Sequence, residues 1–302
     1  MKINVNRLIS ISTVTGVMLL ASFALNGQEM ESKEVDMRPV KDMFSSIWLI
    51  DNQTVVVPYA GTFEFDIQHR FGTVKNGYED LFGLYAPANI RLGFSYVIFE
   101  NCMVGMGITK SNLTWDFNGK YAFMQQSRQG GHPLSISYYL NVEFDTRDKD
   151  LFVNPYTIAF SDRVSFFHQL MIARKFSDKL SVQVSPSLTH FNTVDARENA
   201  QNEVVDQWKN DHVAVSVLAR YGITPGLNVI VNYDQPLTQH PVIDPEPNIA
   251  FGLEVKTSAH QFQIFLGNYY NILPQRNNVF NTNKIGDGEF LIGFNITRLW
   301  NF

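Results

Sequence analysis

The chain has 302 residues, of which 45% are hydrophobic, 13% aromatic and only 18% charged, with a single cysteine. This composition excludes a disordered protein and a disulfide-stapled scaffold, and it supplies enough chain for one large domain. With 24 basic residues against 29 acidic ones the formal net charge is -5, so no nucleic-acid partner is expected.

Met1 to Arg7 carries Lys2 and Arg7 and no acid, and Leu8 to Leu25 is mostly apolar or small. These are the n-region and h-region of a secretory signal, expected to span residues 1–27 with cleavage after Gly27. Ser10, Ser12, Thr13, Thr15 and Ser22 in the apolar stretch, and the lack of a charged stop-transfer flank, argue against a single-pass anchor. Cys102 has no partner for an internal disulfide and reads as a small apolar strand residue. Residues 28–60 form a second region, in which Val40, Met43, Phe44, Ile47 and Trp48 stand at helical spacing ahead of an extended run from Thr54 to Val57. It is too apolar for a free tail and is expected to fold back onto something.

From residue 61 to the C-terminus the hydropathy has period 2. Phe63, Phe65 and Ile67 alternate with Glu64, Asp66 and Gln68, and Leu134, Ile136, Tyr138, Leu140 and Val142 alternate with Ser135, Ser137, Tyr139, Asn141 and Glu143. Such segments are strands with one apolar and one polar face. Twelve are predicted, at 61–71, 88–98, 102–109, 113–125, 133–144, 163–176, 180–190, 212–223, 227–234, 248–256, 260–270 and 289–302. Most have the 9–11 residues that a tilted strand needs to cross a bilayer. Their connections alternate in length. Phe99–Asn101, Ser177–Lys179, Thr224–Gly226 and Thr257–Ala259 are short, whereas Gly72–Pro87, Asp145–Asp162, Phe191–Asp211, Gln235–Pro247 and Asn271–Gly288 are long. The exceptions are Gln126–His132 on the short side and Lys110–Asn112 on the long side. A soluble barrel has no reason to sort loops by side. An outer-membrane barrel does, with short periplasmic turns and long extracellular loops.

The last strand places Phe290, Ile292, Phe294, Ile296, Trp300 and Phe302 in one phase, interrupted by Arg298, which is placed to snorkel to headgroups. Phe294, Ile296, Trp300 and Phe302 resemble the terminal signal read by the outer-membrane assembly machinery. The expectation is an all-β protein, a single antiparallel transmembrane β-barrel of about twelve strands, integral to a bacterial outer membrane, with that membrane's lipid and its assembly machinery as partners.

Leu49–Val55, Phe65–Gly72, Leu81–Leu84, Asn89–Tyr96, Ile172–Ser177 and Ser185–Asn192 together resemble an uncharacterised Bacteroidota outer-membrane β-barrel family of the domain-of-unknown-function type. The resemblance runs from Leu49 to the C-terminus and is most specific at His69-Arg70-Phe71-Gly72. It departs from the family at Val97-Ile98, where Gly-Ile is expected, and at Phe191, where Arg is expected. It implies the fold and the compartment and supplies no activity.

Glu64, Asp66, Arg70, Arg91, Asp116, Lys120, Glu143, Arg220, Asp234, Glu254 and Lys256 share the phase opposite to the apolar residues and are the candidates to line the lumen. Both signs are present, so strong ion selectivity is not expected. Phe167, Met171 and Phe265 are apolar lumen candidates. His69, His168 and His190 would serve a lipid-face hydrolase only with an outward serine beside one of them. Ser95, Ser165, Ser181 and Ser187 fall in the inward phase, so the histidines read as members of an interfacial girdle. Asp145, Asp148 and Asp150, and Asn281, Asn283, Asp287 and Glu289, lack calcium-loop spacing. No catalytic residue, metal or cofactor is expected. Residues 28–60 would plug the lumen or dock on a periplasmic or membrane partner. The leading functional expectation is a passive or gated conduit for a small solute. A non-conducting accessory barrel is the alternative, and a lipid-face hydrolase the third.

Overall fold

In a computed structural model of the full-length chain, residues 36–151, 158–194, 196–201 and 203–301 are described. The expected signal, residues 28–35 and the terminal Phe302 lie outside them.

The body is a closed antiparallel barrel preceded by a short hairpin, β1 (Trp48–Leu49) with β2 (Asn52–Gln53). The barrel strands begin with β3 (Thr62–Thr73), β4 (Asn89–Phe99), β5 (Cys102–Thr109), β6 (Thr114–Met124), β7 (Ser135–Phe144), β8 (Val164–Lys175) and β9 (Leu180–Phe191). A two-stranded ribbon in one long loop, β10 (Ala196–Glu198) with β11 (Val204–Gln207), interrupts the series. The wall resumes with β12 (Asp211–Thr224), β13 (Leu227–Pro236), β14 (Asn248–Lys256), β15 (His260–Gly267) and β16 (Leu291–Asn301). Each wall strand pairs with the next, β9 pairs with β12, and β16 closes onto β3 through Phe294 opposite His69 and Ile296 opposite Ile67. All twelve predicted strands are therefore present, with ends shifted by no more than three residues.

Alternation decides which way each side chain faces. In β3 the residues Thr62, Glu64, Asp66, Gln68 and Arg70 are buried, while Phe63, Phe65, Ile67, His69 and Phe71 are only partly so. The outward phase presents Leu92, Phe94, Phe117, Phe251, Leu253 and Ile264 as exposed apolar residues. In water this would be an uncovered apolar surface, whereas for a strand wall in lipid it is the required one. Exposed Tyr96, Phe99, Tyr121, Phe123, Phe176 and Tyr221 cluster near the short turns, and Tyr78, Phe82, Trp115 and Phe160 near the other end. These are the two aromatic girdles of a membrane barrel.

A twelve-stranded wall is too wide for its own side chains to fill, since about eight strands already leave an interior only just filled. Two other parts of the chain fill it here. Residues 42–57 enter from the short-turn end, burying Met43, Phe44, Ile47, Trp48, Leu49, Ile50 and Val55 against Tyr139, Phe167, Met171 and Phe265 of the wall. The expected helix does not form: the described residues from 36 to 47 are irregular and the hairpin follows. Lumen side chains provide partners that compete with helical bonding, as Gln263 does for the Ile50 amide and Gln183 for that of Val55. Apolar burial is kept while the 3.6-residue period is lost.

The second filler corrects another expectation. The sequence marks Asn271–Gly288 as a long extracellular loop, yet Ile272, Leu273, Gln275, Asn277, Asn278 and Val279 are buried, as is Tyr269 just before it. They belong to or flank α1 (Pro274–Phe280), a two-turn helix started by proline at its first position, which folds into the barrel from the long-loop end.

Candidate functional site

The lumen is the candidate site. Its wall is built in level rows, because register places Glu64 opposite Ser95, Ser95 opposite Gly105, Gly105 opposite Asn118 and Asn118 opposite Asn141. The next row is Asp66, Gly93, Gly107, Asp116 and Glu143. The glycines in this row make room. A Cβ at Gly93 would collide with the Asp66 carboxylate, and one at Gly107 with the Arg91 guanidinium.

Arg91 lies across those glycines. Its Nε and one terminal nitrogen donate to the two Asp116 oxygens at 2.9 and 2.8 Å, the other donates to Asp66 at 3.1 Å, and the guanidinium covers the Trp48 ring at 5.1 Å. Asn141 adds a donor to Asp116 at 3.0 Å. Glu143 accepts from Arg276 of α1 at 2.8 Å and from Ser165 at 3.1 Å. Arg220 ion-pairs Glu254 at 3.5 Å, and Asn228 and Gln263 donate to the same carboxylate at 2.9 and 3.0 Å. Asp234 accepts from Asn232 and Asn248, each at 3.1 Å, and from Asn52 at 3.0 Å. Lys256 stands at the rim, exposed, and donates to Asp42 at 2.7 Å.

Three of the candidates stand apart. Arg70 is fully buried with no carboxylate in ion-pair contact among the described residues. It donates to Asn295 at 3.0 Å, to the His69 carbonyl at 3.1 Å and to the Ile50 carbonyl at 3.4 Å, and stands over the Phe265 ring at 4.6 Å. Lys120 donates to Gln53 at 2.8 Å and to the Thr54 carbonyl at 3.1 Å, both on the lumen segment. Glu64 is buried and its carboxylate has no hydrogen-bond partner among the described residues.

Sequence reasoning by charge alone passes over the amides that hold the filler. Asn52 bridges β13 through Asn232 and Asp234, each at 3.0 Å, and accepts from Gln169 at 2.9 Å. Asn295 donates to the Ile50 carbonyl at 2.6 Å, and Gln183 to the Gln53 carbonyl at 2.8 Å. The two fillers meet at Asp51, which accepts from Asn277 of α1 at 2.7 Å and from Tyr269 at 3.0 Å. The inward phase marks Gln169, Gln183, Asn232, Gln263 and Asn295 as plainly as the charged residues.

On the lipid face, Phe294 and Ile296 lie in the outward phase, His69 stacks on Phe294 with centroids 4.8 Å apart, and Phe63 contacts Trp300. His168 pairs with Tyr138 and His190 with Asp211, while Ser95, Ser165, Ser181 and Ser187 are buried on the opposite face. Among the described residues no group of histidine, cysteine and acidic side chains could hold a metal ion.

No curated protein matches the chain. Of solved structures, the NanC porin aligns over 79% of this chain and 99% of its own with 8% identity and a TM-score of 0.49. The KdgM porin aligns over 80% and 99% with 10% identity and a TM-score of 0.43. An outer membrane channel from Pseudomonas putida F1 aligns over 81% and 97% with 12% identity and a TM-score of 0.47. Likeness at this level assigns no solute. A family match covers residues 44–300, beginning inside the lumen segment and ending in β16, and the chain thus belongs to the membrane bound beta barrel domain family, DUF5777.

Proposed function

We propose that this barrel is a gated conduit for a small solute across an outer membrane, drawn in its closed state, with residues 42–57 as the gate at the periplasmic end. One observation carries the reading: the lumen is closed by segments laid into it and not by the wall's own side chains. A barrel built only as a support gains nothing from a wide lumen that a separate segment must refill. The gate is held by burial of its apolar residues and by side-chain hydrogen bonds, each bond worth about 0.5–1.5 kcal/mol net, so removing a cluster of these bonds should raise the open fraction. Together Asn232 and Asp234 hold Asn52, Gln183 holds Val55 and Ser137 donates to the Val55 carbonyl at 2.8 Å. The reading contains no chemical step.

A sealed accessory barrel is the second reading, favoured by the contact of Asp51 with α1, which closes the lumen from both ends. Single-channel recording on purified full-length protein and on N52A separates the two. Losing the Asn52 bonds to Asn232, Asp234 and Gln169 should raise the open fraction about tenfold or more. A folded N52A that opens no more often than wild type would favour the sealed barrel.

A further inference from the structure

The charges of the wall are mixed in number but sorted by partner. The acids Asp66, Asp116, Glu143, Asp234 and Glu254 find a partner on the wall or on α1, in Arg91, Arg276, Asn232, Asn248 and Arg220. Six cations donate to the N-terminal segment, Arg220 among them while it also ion-pairs Glu254. Arg128 donates to the Pro39 carbonyl at 3.1 Å, Lys175 to that of Lys41 at 2.7 Å, Arg220 to that of Asp42 at 3.0 Å and Lys256 to the Asp42 carboxylate at 2.7 Å; deeper in, Lys120 donates to the Thr54 carbonyl at 3.1 Å and Arg70 to that of Ile50 at 3.4 Å. Almost all of these acceptors are backbone oxygens.

Withdrawing the segment would leave the acids largely matched and strip acceptors from cations at the rim and in mid-lumen. For the buried Arg70, Lys120 and Arg220 the loss of acceptors is costly, and an anion would supply the opposite charge that a backbone carbonyl lacks. Among the described residues Glu64 is a buried lumen acid without a hydrogen-bond partner. At the short-turn mouth lies a cavity of about 490 Å³, where Arg38, Lys41 and Arg128 outnumber the one acid, Asp42.

We propose that the solute is a small organic anion, which replaces the carbonyl oxygens of residues 39–54 on this series of cations and thereby displaces the gate. The proposal rests on the gated-conduit reading and names its substrate class.

The test uses full-length protein in a planar bilayer under a potassium chloride gradient, with K175Q/K256Q, a pair at the rim, as the variant. Openings should favour chloride over potassium by more than about threefold, and the variant should lower that ratio at least about twofold. A ratio of one or below, or one unchanged in the variant, overturns the anion assignment and leaves the conduit standing. If no openings occur, the conduit reading fails and hydrogen exchange decides the anion assignment. Sodium benzoate, compared with benzyl alcohol at equal ionic strength, should speed exchange of the Ile50 and Val55 amides severalfold. Equal rates would overturn it.

Discussion

Arg91 balances two buried acids of the lumen wall at once, as the one cation among the described residues in ion-pair contact with Asp66 and Asp116. R91A leaves two buried carboxylates without a cation and should cost about 3–5 kcal/mol, seen as a lower melting point of the folded band in heat-modifiable gel mobility. At the rim, the Lys256 ammonium, which donates to Asp42, holds that carboxyl below its ordinary value of 3.8 against the opposing push of partial burial. A depressed value stabilises the fold above the ordinary one, and the contribution disappears as pH falls through the lower one. The anchor at Asp42 should therefore hold from neutrality to roughly pH 4 and release below it. Open fraction measured as a function of pH checks this, and K256Q should abolish the step. The positions of Arg91, Asp116 and Glu254 were legible in the sequence, because a period of 2 leaves no third direction for a side chain. Their partners were not, because pairing across a lumen depends on which rows share a level. The separation of Arg70 from Glu64 and Asp66 shows how far register decides it.

At the scale of elements, strands were legible and fillers were not. Strands repeat their signal every second residue for eight or more positions, whereas residues 42–57 and α1 answer to partners far away in the chain. The apolar residues Met43, Phe44, Ile47 and Trp48 mark burial in either case, but the secondary structure they adopt is set by acceptors and donors on β7, β9 and β15. For α1 the available signal is the run Tyr269-Tyr270-Asn271-Ile272-Leu273-Pro274, too apolar for a solvated loop and ending in a helix-starting proline. An epitope inserted at Asn281 should disturb the lumen, because Asn281 is buried, whereas one at Gln201 should be tolerated and should label on intact cells. An epitope at Pro225 should label only after the membrane is opened; the reverse pattern would invert the orientation. For β16, changing Trp300 and Phe302 to Ser removes the terminal aromatics and should lower the amount of folded barrel in the outer membrane without blocking export.

For the molecule as a whole, a wall of twelve strands sets a lumen that must be filled, and the chain fills it with a segment from one end and a loop from the other. Register fixes the wall and lipid fixes its outer face, so these parts permit little change. The segment is held by side-chain bonds and apolar contacts and not by strand register with the wall, to which it is covalently tied through Pro58–Gly61 and the start of β3. The central claim is that it is a gate. The most direct measurement is single-channel conductance of the full-length protein beside a chain lacking residues 37–57, with gel mobility confirming that both form folded barrels. The full-length protein should be mostly closed and the shortened one persistently open and anion-preferring. A folded barrel without the segment that conducts no better than the full-length protein would contradict the central claim.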